Sequence, residues 1–339
     1  MLISPINPSD IQRIKGEYPH LAENKDFVTV SDLNDQETHI KSGVIVGFEG
    51  VGKVKQIGNF ASSAINGNIE IGDWVIPMST DSYGTWSTHI IADPKNLVLI
   101  KDKTSITPEH LCSLKINAAT AYRMLKDIVS LNEGDYIIQN GANSGAGKYL
   151  IQLARQWGYR TINVIRDREG SDLVARDLYE LGADIVFKDS EIESPKIKSL
   201  MSSLNNPIRM IISCVSGKYG TQLINYLPDG GVHVSYGDMT HDTLNIKPLE
   251  MVFRGITFVG YWLMKFYGEN PPSVWLETWN DIIDMMRLGK LKMQPVEKIP
   301  WYSISDNVEH LNSAEKIQND VNNAITSSNK SAFSFTSKF

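Results

Sequence analysis

The segment Gln139-Asn140-Gly141-Ala142-Asn143-Ser144-Gly145-Ala146-Gly147-Lys148 lies between an apolar run, Tyr136 to Ile138, and an amphipathic run that begins at Tyr149. This order predicts a β-strand, a glycine-rich turn and the start of an α-helix. Glycines in such a turn let the backbone approach a pyrophosphate, and the helix N-terminus offers N–H groups and the positive end of its dipole. Because glycines also form ordinary tight turns, the segment alone does not decide the function.

Strands and helices alternate on the C-terminal side of this turn. The apolar runs that predict strands are 161–165, 184–187, 209–215 and 232–236. The helical stretches between them are 173–181, 197–204 and 221–227. Regular alternation of this kind is typical of a doubly wound parallel sheet. The sequence therefore predicts an α/β domain in which the glycine-rich turn follows the first strand.

Two arginines follow the next predicted strand, in the segment Arg166-Asp167-Arg168. At this strand end a cofactor with an unmodified ribose usually meets an Asp or Glu, whereas a 2′-phosphate suits guanidinium groups. The alternative interpretation is an ordinary charged surface loop. The position directly after the strand favours the cofactor, so the turn and the arginines together predict binding of NADP(H).

Composition and charge disfavour several classes of protein. The chain has 339 residues, enough for two domains, and its net charge of −6 disfavours a general nucleic-acid binder. No apolar run approaches the length of a transmembrane helix. Cys112 and Cys214 lie in apolar surroundings, which indicates buried residues rather than a disulfide or a zinc site. No presequence or signal peptide is visible before the strand end predicted at Met1-Leu2-Ile3-Ser4, so the chain is expected to start abruptly or to have been shortened.

Tightly spaced glycines mark a β-rich region between Gly43 and Ile100. It contains the pattern Gly47-x-Glu49-x-x-Gly52-x-Val54-x-x-x-Gly58, then Gly72-Asp73-x-Val75, and Gly84 is predicted to begin a further strand. These patterns resemble the medium-chain dehydrogenase/reductase superfamily. Its alcohol-dehydrogenase branch has a histidine zinc ligand where this chain has Phe48, which cannot ligate a metal. The resemblance therefore implies a zinc-independent reductase, in which a protein group performs the acid chemistry.

Longer strings narrow the resemblance. Asn7-Pro8-Ser9-Asp10-Ile11, Gly16-x-Tyr18-Pro19 and Asn117-x-x-Thr120-Ala121-Tyr122-Arg123-Met124-Leu125 are similar to the mitochondrial trans-2-enoyl-thioester reductases. This resemblance implies NADPH-dependent reduction of enoyl thioesters carried on coenzyme A or acyl carrier protein, in mitochondria. It implies a GroES-like β-rich catalytic domain at 1–120 and 269–339, with its opening strands missing, and a Rossmann domain at 121–268. A homodimer is expected to pair through the strand around Ile256 to Gly260.

The same resemblance assigns roles to individual residues. Hydride addition at C3 leaves an enolate that takes a proton at C2, and Tyr18 is implied as the donor because a tyrosine is protonated at neutral pH. The alternative is a hydroxyl that only satisfies the turn before Pro19. The residues implied at the cofactor are Asn117, Asn143, Ser144, Gly145, Ala146, Arg166, Asp167, Arg168, Tyr236, Gly237, Asp238, Met239, Tyr261, Trp262, Leu263 and Lys330. Without the resemblance, Asn117 is equally a helix cap, the strand-end aromatic residues are core and Lys330 is solvated.

Three positions depart from the family pattern. Phe48 stands where Asn is usual, Asp238 replaces a glycine, and Glu17 replaces a small or apolar residue beside Tyr18. These departures put turnover in question more than the fold. Two alternatives therefore stay open. One is a zinc-free NADPH quinone reductase, which would not need the tyrosine of Gly-x-Tyr-Pro, and the other is an NADPH-binding protein that has lost turnover.

Overall fold

The structure is a computed structural model that describes residues 1–19, 25–30, 38–59, 63–78, 84–301, 319–324 and 330–335. The chain divides into two compact units. Unit 1 comprises Met1–Ser113 and Met293–Phe339, and unit 2 comprises Leu114–Lys292. The glycine-rich turn lies in unit 2, and Tyr18 lies in unit 1.

Strands and helices are numbered in chain order. The strands are β1 Ile3–Pro5, β2 Lys25–Val30, β3 Thr38–Gly43, β4 Gly52–Lys53, β5 Trp74–Pro77, β6 Leu97–Ile100, β7 Tyr136–Asn140, β8 Arg160–Ile165, β9 Ile185–Lys188, β10 Ile208–Ser213, β11 Val232–Ser235, β12 Thr257–Gly260, β13 Val296–Pro300 and β14 Lys330–Ser334. The α-helices are α1 Pro8–Lys15, α2 Pro108–Leu111, α3 Ala119–Asp127, α4 Gly145–Gln156, α5 Ser171–Leu181, α6 Pro195–Ser202, α7 Gly217–Leu223, α8 Pro248–Val252, α9 Leu263–Glu269 and α10 Pro272–Arg287. A π-helical turn, Leu114–Ala118, leads into α3. Among the described residues, none of the helices combines the length and the apolar character that a membrane span requires.

Unit 2 is built on a parallel sheet with the strand order β9-β8-β7-β10-β11-β12. Its pairings are all parallel. Counted along the chain within this sheet, the order is 3-2-1-4-5-6, the doubly wound order of a Rossmann domain. The order reverses between β7 and β10, and a dinucleotide binds in the crevice at such a switch point. The predicted α/β fold of this unit is confirmed.

The apolar character of the strands explains this sheet. Ile138 of β7 and Ile211 of β10 are fully buried, as expected for parallel strands that helices cover on both faces. In α4, Ile151 packs in a cluster with Ala142 and Ile165. The helix therefore lies on the sheet with its N-terminus next to the end of β7, where the glycine-rich turn places it.

Unit 1 is β-rich, as the resemblance to a GroES-like domain implies. Its sheets have the orders β1-β14-β13, β2-β3 and β4-β5-β6 among the described residues. An aromatic cluster holds the first of these sheets, since the Phe333 ring lies 4.9 Å from both the Trp86 and the Trp301 rings. Edge-to-face contacts of this kind stabilise the fold beyond the contribution of burying the rings. The N-terminal and C-terminal segments of the chain therefore share one core.

The limits of the units differ from the predicted domain limits of 120/121 and 268/269. The predicted domains assign 114–120 and 269–292 to the catalytic domain, but both segments belong to unit 2. Tyr122 of α3 donates a hydrogen bond to Asp281 of α10 at 2.7 Å. Tyr267 donates to the Lys115 carbonyl at 2.6 Å and accepts from the Trp279 indole at 3.0 Å. These contacts tie α10 and the π-helical turn to helices α3 and α9 of unit 2.

The strand predicted to begin at Gly84 is wrong, because the chain is irregular from 84 to 93. The backbone N–H groups of Thr85 and Trp86 instead donate to the carbonyls of Gly47 and Val46. The Thr85 hydroxyl donates to the Glu49 carbonyl at 2.7 Å. Trp86 is therefore buried by a loop that packs on the glycine-rich segment rather than by a strand, while Ile91 is exposed.

His233, in β11, is a buried histidine whose environment predicts a dependence of stability on pH. It is 1 % exposed and stacks 5.5 Å from the Phe258 ring, and within the described part of the chain neither ring nitrogen has a hydrogen-bond partner. Burial lowers the pKa of His233 to about 4, and an interaction with its own backbone offsets only part of that effect. The folded protein therefore holds this imidazole neutral at pH values where the unfolded chain takes up a proton.

His233→Leu is expected to remove this acid sensitivity. Above pH 6.5 the imidazole is neutral in both the folded and the unfolded protein. Between pH 6.5 and pH 4 only the unfolded protein takes up the proton, so the wild type loses about 3 kcal/mol of its free energy of unfolding. The free energy of unfolding in urea at pH 7 and pH 4.5 measures this loss. Other acid-sensitive groups are common to both proteins, so their difference isolates His233. Equal losses in the two proteins would show that His233 does not contribute.

Candidate active site

The glycine-rich turn of unit 2 ends in a capped helix. Ser144 is the N-cap of α4, and its hydroxyl accepts a hydrogen bond from the Gly147 N–H at 3.1 Å. Asn143 is half-buried in the turn and Ala146 is buried in the first turn of the helix. The first N–H groups of α4 and its positive dipole end therefore lie at the switch point of the sheet, where an anion is stabilised.

Gly145 gives this helix start its close fit. A Cβ atom at this position would lie 2.4 Å from the Asn117 side-chain oxygen. Asn117 comes from the π-helical turn and is 9 % exposed, so the structure brings its amide against the glycine-rich turn. A cradle that a single methyl group would fill fits the close approach of a pyrophosphate to the backbone.

Asn140 is a residue of this site that sequence reasoning did not select. Its side-chain nitrogen donates to the Ser213 hydroxyl and to the Val215 carbonyl, both at 2.8 Å. Its side-chain oxygen accepts from the N–H groups of Cys214 at 2.8 Å and Val215 at 3.1 Å. This amide joins the ends of β7 and β10 across the switch point. A polar residue that ends an apolar strand immediately before the glycines was the available signal.

The segment after β11 folds back onto the same turn. The Tyr236 phenol hydrogen bonds with the side chains of Ser144 and Cys214, and burial raises its pKa well above the ordinary value. The Met239 N–H donates to the Cys214 carbonyl at 2.9 Å, while a Cβ atom on Gly237 would lie 3.2 Å from that of Cys214. The structure therefore brings Tyr236 and Gly237 to the glycine-rich turn.

Asp238 and the residues after β12 differ in their exposure and in their hydrogen-bond partners. The Asp238 side chain is exposed and accepts the His241 N–H at 3.1 Å, so its carboxylate stabilises a local turn. Tyr261 lies 3.5 Å from the Asp127 carboxylate at the end of α3, and burial raises the pKa of its phenol. Trp262 is 42 % exposed, whereas Leu263 is buried. The indole is therefore accessible to a ligand and the leucine is part of the core.

The charged segment after β8 is exposed, but its three side chains differ. Asp167 accepts the Ser190 hydroxyl at 2.6 Å and lies 3.9 Å from the Lys188 ammonium. Arg166 and Arg168 are exposed and have no ion-pair partner in the described ranges. The carboxylate is thus already engaged by its neighbours, while both guanidinium groups are available to a phosphate.

Tyr18 is held by the C-terminal end of α1 in unit 1. Gly16, in the left-handed conformation with φ 72°, ends the helix, a conformation that glycine adopts without strain. The N–H groups of Glu17 and Tyr18 then donate to the Gln12 carbonyl at 2.8 and 3.2 Å. The phenol ring lies 4.8 Å from the ring of Phe48. The Gly-x-Tyr-Pro string therefore reverses the chain and fixes Tyr18 against its own helix.

A buried polar network lies at the other end of α1. Asp10 is 0 % exposed, and its carboxylate accepts the N–H groups of Asn7 at 2.8 Å and Phe48 at 2.9 Å. The Asn7 amide donates to Glu49 at 2.8 Å. Burial raises the pKa of Asp10 to about 7, opposed by the two N–H donors and by Lys330, while burial lowers the pKa of Lys330. The Lys330 ammonium therefore interacts electrostatically with the carboxylates of both Asp10 and Glu49.

Lys330, which the resemblance implies at the adenosine end of the cofactor, has hydrogen-bond partners in unit 1. Its ammonium donates to the Ile6 carbonyl at 3.0 Å and to the Asn7 side chain. The reason is the antiparallel pairing of β1 with β14, which aligns Pro5 with Ala332 and carries Lys330 next to Asn7. Within unit 1 this lysine is part of the network that supports α1.

The described residues contain no group of three or more His, Cys, Asp or Glu side chains arranged to hold a metal ion. Phe48 itself is 3 % exposed and packs between aromatic and cationic side chains.

Comparison with known proteins places this geometry in a family. No protein-family model matches the chain. A mitochondrial enoyl-acyl-carrier-protein reductase of Arabidopsis thaliana is 36 % identical over 304 residues, which cover 88 % of this chain and 74 % of that protein. The chain belongs to the mitochondrial enoyl-acyl-carrier-protein reductases.

Solved structures agree with this family. Etr1p, in a complex with NADP and crotonyl-CoA, superimposes with a TM-score of 0.82 at 28 % identity, over 98 % of this chain and 89 % of Etr1p. The Etr1p/Etr2p heterodimer of the mitochondrial 2-enoyl thioester reductase from Candida tropicalis gives a TM-score of 0.83 at 28 % identity, with the same coverage of both chains. The predicted family and the predicted pair of a GroES-like and a Rossmann domain are confirmed.

Proposed function

We propose that the protein reduces trans-2-enoyl thioesters to acyl thioesters with NADPH, in mitochondria. The observation that carries this function is the 36 % identity to an enoyl-acyl-carrier-protein reductase over 88 % of the chain. The carrier of the acyl group is coenzyme A or acyl carrier protein. A relative of this fold has been solved with crotonyl-CoA, which makes that thioester the first substrate to test.

Unit 2 has the residues to hold the cofactor. The start of α4, with Ser144 and Gly145, would bind the pyrophosphate, and Arg166 and Arg168 would bind the 2′-phosphate. Asn117 and Tyr236 would line the same site, because both pack against the start of α4. When bound, NADPH supplies the hydride that adds to C3 of the enoyl group.

Tyr18 of unit 1 is the proposed proton donor. Its phenol gives its proton to C2 of the enolate, and the phenolate then takes a proton from water. A positioned acid of this kind contributes about 10²- to 10⁴-fold to a proton-transfer step. Gly16 and the Gln12 carbonyl fix the backbone of the tyrosine, and Phe48 packs against its ring.

Steady-state turnover of the full chain tests this function. NADPH oxidation is followed with crotonyl-CoA and longer enoyl-CoA thioesters, and in parallel with a quinone. Reduction of the thioesters, with little reduction of the quinone, is expected. Turnover of the quinone alone would favour a quinone reductase. A thermal shift with NADPH but no reduction of either substrate would favour a protein that has lost turnover.

The protein is also proposed to be a homodimer that pairs through unit 2. Strand β12 lies at an edge of the sheet in the described part of the chain. The neighbouring helix α8 and the residue after it expose apolar side chains, with Val252 70 % and Phe253 78 % exposed. An open strand edge beside exposed apolar side chains is a surface that favours pairing with another chain. The solved Etr1p/Etr2p relative is itself a dimer.

Phe253→Glu is expected to weaken the dimer at least about tenfold, because burial of an aromatic side chain contributes about 1.5–3 kcal/mol. Sedimentation velocity over a range of protein concentrations measures the dissociation constant. Leu173→Glu, which changes a residue of α5 that is 59 % exposed, is the matched control and should leave it unchanged. A monomeric wild type, or equal weakening by both variants, would contradict this interface.

A further inference from the structure

Arg13, on α1, places a buried positive charge next to the Tyr18 ring. The side chain is 9 % exposed, whereas most arginine side chains lie on the surface. Its guanidinium carbon lies 3.9 Å from the centre of the Phe48 ring and 5.7 Å from the centre of the Tyr18 ring. The two rings are themselves 4.8 Å apart and inclined by 54°. One cation therefore faces two aromatic rings that contact each other.

The helix holds this arrangement from both ends. Asp10 and Arg13 are three residues apart and so lie on one face of α1. The Asp10 carboxylate accepts the Phe48 N–H at 2.9 Å, while the Gly16 turn returns Tyr18 toward the same face. Phe48 is thus bound to α1 through its backbone and stacked on Arg13 through its ring. The positions of all three side chains depend on a single helix.

The charges around the phenol make the guanidinium chemically relevant. When Tyr18 gives its proton to a substrate carbanion, a phenolate remains, and a cation 5.7 Å from the centre of its ring stabilises that anion. Glu17, the neighbouring residue, is exposed and carries the opposite sign. Asp10, one turn earlier on the helix, already accepts two backbone N–H groups.

We propose that Arg13 is a positioning residue for proton transfer: it stacks on Phe48 to hold the Tyr18 ring and provides the positive charge that balances the transient phenolate. In this step the phenol O–H bond breaks, a C–H bond forms at C2, and water later returns a proton to the oxygen. The inference rests on the proposed function and adds to it a residue outside the strings that carry the family resemblance.

A double-mutant cycle tests this role. Arg13→Met removes the charge and keeps most of the side-chain length, and it is expected to lower kcat for crotonyl-CoA about tenfold, with the KM for NADPH unchanged. The same substitution in a Tyr18→Phe background is expected to have no further effect. Arg13→Lys, which keeps the charge, should restore most of the rate. Lys15→Met, which removes an exposed cation two residues later on α1, is the control and should behave as the wild type.

The outcomes separate this inference from the function on which it rests. No enoyl reduction by the wild type would overturn the function. An active wild type with an unaffected Arg13→Met variant, or with an equal further loss in the Tyr18→Phe background, would overturn the inference alone. If Arg13→Met does not fold, Phe48→Leu serves instead. That variant removes the ring beneath the guanidinium and should lower kcat about threefold, again only when Tyr18 is present.

Discussion

Tyr18→Phe is expected to lower kcat for the reduction of crotonyl-CoA by about 10²- to 10⁴-fold, the usual contribution of a positioned general acid. The substitution removes only the hydroxyl group. Its ring can keep the 4.8 Å contact with Phe48 and the approach of Arg13, and the backbone bond to Gln12 does not involve the side chain. The KM for NADPH and the melting temperature should therefore change little. Stopped-flow and steady-state measurements of NADPH oxidation give these quantities.

Tyr179→Phe is the matched control for this experiment. Tyr179 is 48 % exposed, and its hydroxyl accepts the Val186 N–H at 3.1 Å in unit 2, so its loss should leave kcat unchanged. A larger solvent isotope effect in Tyr18→Phe would show that proton transfer has become limiting. If Tyr18→Phe turned over at the wild-type rate, another group would have to donate the proton, and Tyr18 would be only a turn residue.

The parts of the fold that sequence reasoning predicts well are those with a local signal. Strand β7, the turn and α4 follow from an apolar run, three glycines and an amphipathic run within 21 residues. The parallel, helix-covered sheet follows from the regular alternation of strands and helices. The position of Ser144 at the helix start follows in the same way from the capping preference of serine.

The parts that sequence reasoning misses depend on contacts between distant segments. Arg13 and Phe48 are 35 positions apart in the sequence, and no local pattern shows that a cation stacks on that ring. The string around Lys330 does not show that strand pairing at the two ends of the chain takes its ammonium to Asn7. The limits of the two units also depend on contacts between distant segments, since Tyr122 of α3 donates a hydrogen bond to Asp281 of α10.

Replacing Arg166 and Arg168 together by Ala is expected to lower the preference for NADPH over NADH by about 10²-fold or more. Hydrogen bonds to charged groups contribute about 1.5–3 kcal/mol each. NADH has no 2′-phosphate and cannot make these bonds, so its binding should not change. The ratio of kcat/KM for the two cofactors measures the change. Because both arginines are exposed after β8, the melting temperature without cofactor should stay near that of the wild type.

The separate values for the two cofactors decide what the arginines recognise. A fall in kcat/KM for NADPH with kcat/KM for NADH unchanged is the signature of 2′-phosphate binding. Arg176→Ala, which removes an exposed arginine from α5 of the same unit, should change neither value. Equal losses with both cofactors would mean that the arginines support the pyrophosphate or the fold. Asp167 is kept in all variants because Ser190 and Lys188 already engage its carboxylate. The variants therefore change only the positive charge near the ribose.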